Sequence, residues 1–158
     1  MRHAITHVIH PDAITAAAGV LARSAGRSNG PAKRLLELVA ASPVHKLALS
    51  EFILAEIGKT LAYSKLSEVL QMNPSEIHAF VSLLRRSAVL VEPSVGLPIV
   101  LSDPKDDPVI YTAVAAQADV LCARDRHFQA PNVLRFCQRH GIEVLDEIEL
   151  LAKLERGA

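Results

Sequence analysis

From its first apolar run to its last, the chain alternates short β-branched segments with longer segments of helical periodicity. Nothing else in the sequence restricts the fold as strongly. Residues 3–9, 45–49, 88–92, 119–123 and 142–145 are rich in Val, Ile, Leu and Ala and read as strands. Between them lie helical patterns over 12–25, 31–41, 52–61, 74–87, 108–117 and 131–139, with a short helix at 66–70 and a last one after Asp146. Strands that are each followed by a helix pair in parallel, because a hairpin cannot join them. A parallel sheet is buried on both faces. The expected fold is therefore α/β: a doubly wound parallel sheet flanked by helices on both faces. At 158 residues, one domain spanning 1–158 is expected rather than two.

Local chemistry supports these boundaries. Ser50 is placed to cap the helix that carries Phe52, Ile53, Leu54, Ile57 and Leu61. Asn73, Pro74 and Glu76 form a cap, a first-turn proline and a returning carboxylate, and Asp146 with Glu149 repeats the signal. Pro11 and Pro31 sit where helices open, where a missing N–H costs little.

Composition excludes several classes of function. No apolar run approaches the roughly 18 residues of a membrane span, and no export signal is visible. A cytoplasmic protein with reduced Cys122 and Cys137 is expected. Seventeen basic residues balance seventeen acidic ones, so any nucleic-acid binding must come from a local patch. There is no Gly-X-Ser-X-Gly elbow and no Gly-rich phosphate loop. A phospho-accepting receiver domain is set aside because the third strand ends in Glu92-Pro93 rather than in an aspartate.

The acidic residues are not scattered. Asp12 follows the first strand, Glu51 and Glu56 follow the second, Asp103, Asp106 and Asp107 precede one helix, and Asp125 follows the fourth strand. In open parallel sheets, ligands bind outside the carboxyl ends of the strands. Oxygen-rich sets of this kind suit Mg²⁺ or Mn²⁺. Individually, such residues also cap helices and favour the helix dipole. A basic stretch with Arg124, Arg126, Arg135 and Arg139 follows, open to phosphates, to an acidic partner or to solvent alone. His127 is either an RNA or metal contact or a surface group.

The segment Asp103-Pro104-Lys105-Asp106-Asp107-Pro108-Val109-Ile110, with Ala113-Val114-Ala115 and Ala118-Asp119-Val120-Leu121, resembles the C-terminal half of PIN-domain proteins. Arg124-Asp125-Arg126-His127-Phe128 continues the likeness, as do Leu49 to Ile57 and Tyr63-Ser64-Lys65-Leu66. The resemblance is to the VapC-like toxins of toxin–antitoxin systems and covers nearly the whole chain. It implies a Mg²⁺- or Mn²⁺-dependent endoribonuclease that cleaves RNA phosphodiesters. Glu56, Asp107 and Asp125 are implied as catalytic metal carboxylates, with Asp103 and Asp106 as helpers. An antitoxin protein and a homodimer are the implied partners, and Arg124, Arg126 and His127 the expected nucleic-acid contacts.

The beginning of the chain departs from that pattern. His10 stands where the family's first metal-binding aspartate is expected, and Asp12 where its asparagine is expected. Either His10 or Asp12 completes the metal set. The alternative is a catalytically degenerate PIN-fold protein that acts by binding an antitoxin or a second copy of itself.

Overall fold

The structure, a computed structural model, describes residues 4–16, 31–63, 72–94 and 96–156. Strand β1 (Ile5–Ile9) leads into a helical segment, α1, described over 11–16. Helix α2 (Pro31–Ala41), strand β2 (His45–Leu49) and helix α3 (Glu51–Ala62) follow. Next come α4 (Pro74–Ser87) and β3 (Val89–Leu90). A 3₁₀ turn at Pro104–Asp106 opens α5 (Asp107–Ala115), which precedes β4 (Val120–Cys122). A second 3₁₀ turn, Arg126–Gln129, leads to α6 (Pro131–Arg139), β5 (Glu143–Leu145) and α7 (Glu147–Glu155). The expected helix at 66–70 and most of the one expected at 12–25 lie outside the described residues.

The five strands form one sheet in the order β3-β2-β1-β4-β5, parallel throughout and flanked by helices on both faces. Val8 and Ile9, Leu47 to Leu49 and Val120 to Cys122 supply its buried centre. From α3, Ile53, Leu54, Ile57 and Leu61 pack down at helical spacing. No described helix is long and apolar enough to cross a membrane.

The caps act as expected. Ser50 Oγ accepts the Ile53 N–H, and both Asn73/Glu76 and Asp146/Glu149 close complete capping boxes. The third strand is shorter than expected: Val89 and Leu90 alone qualify, and both are exposed. An edge strand has a partner on one side only, and Pro93 has no N–H with which to continue the ladder. Helix α5 stops at Ala115 because Gln117 adopts a left-handed backbone (φ 51°), letting the Ala118 N–H reach back to the Ala113 carbonyl.

At the amino end of the sheet, the buried His7 and its neighbour His45 place Nε2 and Nδ1 2.9 Å apart. Burial, reinforced by the proximity of His45, pushes the His7 imidazole down from 6.5 to about 4, against the opposing pull of Asp119. Unfolded His7 therefore takes up a proton near its ordinary pKa, and folded His7 only near pH 4. Its contribution to stability is complete above about pH 6.5 and is lost as the pH falls toward 4. The loss amounts to ~3 kcal/mol at most. Urea midpoints measured across this window should fall less steeply with acid in His7→Leu than in the parent; parallel acid limbs would refute the assignment.

Candidate functional site

Strand order decides where a site forms. From β1 the chain proceeds on one side to β2 and β3, and on the other side of β1 lie β4 and β5. At such a reversal neighbouring connections diverge, and a crevice opens at the carboxyl ends of the strands. His10 immediately follows β1, and Asp125 lies three positions beyond the end of β4. They meet at a pocket of about 180 Å³ whose wall also includes Asp12, Glu56, Asp103, Lys105 and Asp106. Larger clefts of about 440 and 510 Å³ lie against α3/α4 and against β2, but they are mostly apolar. The chemistry is in the small pocket. Glu51 is not there: it forms a two-point ion pair with Arg85, which holds its carboxyl below the ordinary range.

His10 is 6% exposed and both its nitrogens are engaged. The Asp12 peptide N–H donates to Nδ1 at 3.0 Å, so Nδ1 must be bare and the proton of the neutral ring sits on Nε2. That Nε2–H donates to Asp106 Oδ1 at 2.9 Å. Edge-on contact with the buried Phe128 fixes the ring plane. His10 therefore presents a donor to the carboxylates and keeps no free lone pair for a cation. Asp12, whose side chain is 58% exposed, lines the pocket from its open side.

Adjacent aspartates divide two tasks. Asp106 faces His10 and the pocket. Asp107, expected as the third metal carboxylate, is 5% exposed and points the other way. Its oxygens accept the Val100 N–H at 2.8 Å and the Ile99 N–H at 3.2 and 3.3 Å. The Tyr111 hydroxyl on the Leu97 carbonyl and the Asn132 amide on the Ile99 carbonyl fasten the same loop. The loop runs into Asp103, so these three side chains set the position of one wall of the pocket. Thr112, also missed in the sequence, lies 2.8 Å from Ser50 Oγ and ties α5 to the cap of α3, the helix that carries Glu56. The Thr112–Ser50 and Asn132–Ile99 ties join distant segments, which no local pattern reveals.

Asp125 is held by accepting the His127 N–H at 2.8 Å, with His127 Nδ1 3.4 Å from the same oxygen. Arg124 is committed elsewhere: its guanidinium grips the buried Glu147 at two points. Arg126 is exposed and unpaired among the described residues. Cys122 is inert core, its thiol pushed up to about 12 by burial.

As a donor set, Asp12, Glu56, Asp103, Asp106 and Asp125 fit a hard divalent cation, because all are carboxylates. Among the described residues, no three His, Cys, Asp or Glu side chains close around a single point.

A family model described as PIN domain matches residues 12–127. The match covers more than half of the chain, and the chain belongs to the PIN-domain family. It carries a nuclease-type domain, and PIN domains generally depend on divalent metal ions. The match begins at Asp12, two residues beyond His10. No curated protein matches the chain.

The two classes of carboxylate should separate on mutation. Asp107→Ala leaves two buried N–H groups unpaired and should cost about 2–4 kcal/mol. Glu56→Ala should stay within roughly 0.5 kcal/mol of the parent or stabilise it. Thermal unfolding of both variants checks this, and an Asp107→Ala protein as stable as the parent would contradict the structural role.

Proposed function

We propose that this PIN-domain chain is a metal-dependent endoribonuclease of toxin–antitoxin type, acting on RNA in the cytoplasm as one domain over 1–158. The observation that carries the reading is the gathering of Asp12, Glu56, Asp103, Asp106 and Asp125 around one pocket at the strand-order reversal. Glu56, Asp106 and Asp125 would hold Mg²⁺ or Mn²⁺, with Asp12 and Asp103 at the margin. Such a cation, when bound, lowers the pKa of water and neutralises charge developing on the phosphodiester. Asp107 acts behind Asp106, holding the loop that carries Asp103. Lys105, exposed on the pocket wall, offsets carboxylate charge where a phosphate must approach. Arg126 and His127 flank Asp125 on the side from which RNA would enter. The exposed Leu83, Val89 and Leu90 near the β3 edge support pairing of two copies, while an antitoxin partner rests on the resemblance to VapC-like toxins.

A second reading is favoured by His10. Its donor character removes one carboxylate and occupies Asp106, as expected of a chain that retains the fold and acts by binding an antitoxin or itself.

Cleavage of a mixed single-stranded RNA pool in Mg²⁺, Mn²⁺ and Zn²⁺ separates the two. The expected result is cleavage by the parent that falls at least about 100-fold in Asp125→Asn. His10→Asp should lower the concentration of Mn²⁺ needed. An inactive parent with an active His10→Asp variant would establish the degenerate site, and no cleavage by either would refute the ribonuclease reading.

A further inference from the structure

The stretch 126–142 contains Arg126, Arg135 and Arg139 and not one Asp or Glu, in a chain whose net charge is zero. All three arginines are exposed, and none pairs with a carboxylate among the described residues. Arg34, Arg85 and Arg124 are each ion-paired, while Arg86 and Arg156, also exposed and unpaired among the described residues, lie apart from this stretch in the sequence. Long guanidinium side chains left free along one surface carry a charge that the fold itself does not use.

Topology orients that charge relative to the pocket. β4 and β5 are parallel, so α6, which joins them, runs back from the carboxyl end of the sheet to its amino end. The helix begins at the rim. Asp125 caps the 3₁₀ turn that precedes it, and Asn132 in its first turn holds the Ile99 carbonyl. Arg126, exposed, directly follows Asp125 of the pocket wall. Arg135 and Arg139 follow at i and i+4 on the exposed side of α6, about 6 Å apart along its axis. Beside them the exposed ring of His140, at the C-cap of α6, packs on Phe136 with centroids 4.5 Å apart and planes tilted by 39°.

We infer that the exposed face of α6 is a track for single-stranded RNA, with Arg126, Arg135 and Arg139 on successive phosphates and His140 beneath a base. The inference rests on the ribonuclease reading and adds the path by which the strand arrives. Carboxylates at the cleavage pocket repel the substrate's own phosphates, so the strand must be held by cations outside the pocket. A row of unpaired arginines that starts at the rim supplies that hold, and a stacking ring beside it suits an unpaired base.

The test is fluorescence anisotropy of a labelled mixed-sequence RNA 12-mer in EDTA, where cleavage plays no part. The Arg135→Gln/Arg139→Gln double variant should bind about tenfold or more weakly at low salt. Its log–log salt slope should be shallower by about 1.4, since each phosphate contact contributes roughly 0.7 on a single strand. His140→Ala should weaken binding by about fivefold or more with an unchanged slope. Asp125→Asn should bind at least as well as the parent. The track is overturned if the parent binds no RNA or if the double variant keeps the parent's affinity and slope. It is also overturned if the double variant loses a poly-glutamate peptide while retaining RNA, which would mark a surface for an acidic protein. Binding that depends on α6, without cleavage in any ion, would sink the ribonuclease reading and leave the track standing.

Discussion

Everything at the candidate site depends on β1 lying between β2 and β4. Its ladder with β2 pairs Ile5 with His45, and its ladder with β4 pairs Ile9 with Cys122. The His10 N–H extends the second ladder to the Cys122 carbonyl. These parallel pairings bring residues more than a hundred positions apart to one rim. They also leave a crevice there, because the connections on either side lead away from each other. Acids from Asp12 to Asp125 converge there, with Asp103 carried in by the loop that Asp107 holds.

Convergence of carboxylates has an electrostatic cost, and the chain offsets part of it with its own groups. The Nε2–H of His10 sits on Asp106, Lys105 lies on the same wall, and the first turn of α5 turns its positive end toward Asp106 and Asp107. The placement of His10 follows from the bond to its other nitrogen. A peptide N–H can only donate, so the Asp12 amide sets the tautomer and thereby aims the ring's proton at the acids. An aspartate at this position would add an acceptor, whereas the histidine supplies a donor. The difference determines how strongly the remaining carboxylates attract a cation.

How much of this could be read from the sequence depended on how local the signal was. α2, β2 and α4 fall where periodicity and capping put them, since the Asn73–Glu76 box and Pro31 act within one turn. β3 was over-extended because composition does not reveal that a strand lies at an edge. The acidic rim was legible as a set, yet Asp107 turned out to face the 99–100 loop and Asp106 the pocket. Neighbouring residues in a helix point about 100° apart, and which of two adjacent aspartates faces the pocket is decided by the path of the 99–100 loop and by the distant His10. Arg124 misled for a similar reason, since its partner Glu147 lies in the last helix. The free arginines of α6 were visible as a basic stretch, but their alignment from the rim required the direction of the helix.

The proposed site is most directly tested by titrating the full chain with Mn²⁺ and following the free ion by electron paramagnetic resonance. A pocket built to hold a divalent cation predicts saturable binding that Mg²⁺ displaces and that Asp106→Asn weakens at least about tenfold, while Asp107→Asn, if folded, changes it little. A parent chain that leaves Mn²⁺ free at every concentration, or one whose Mn²⁺ binding is untouched by Asp106→Asn, would contradict it.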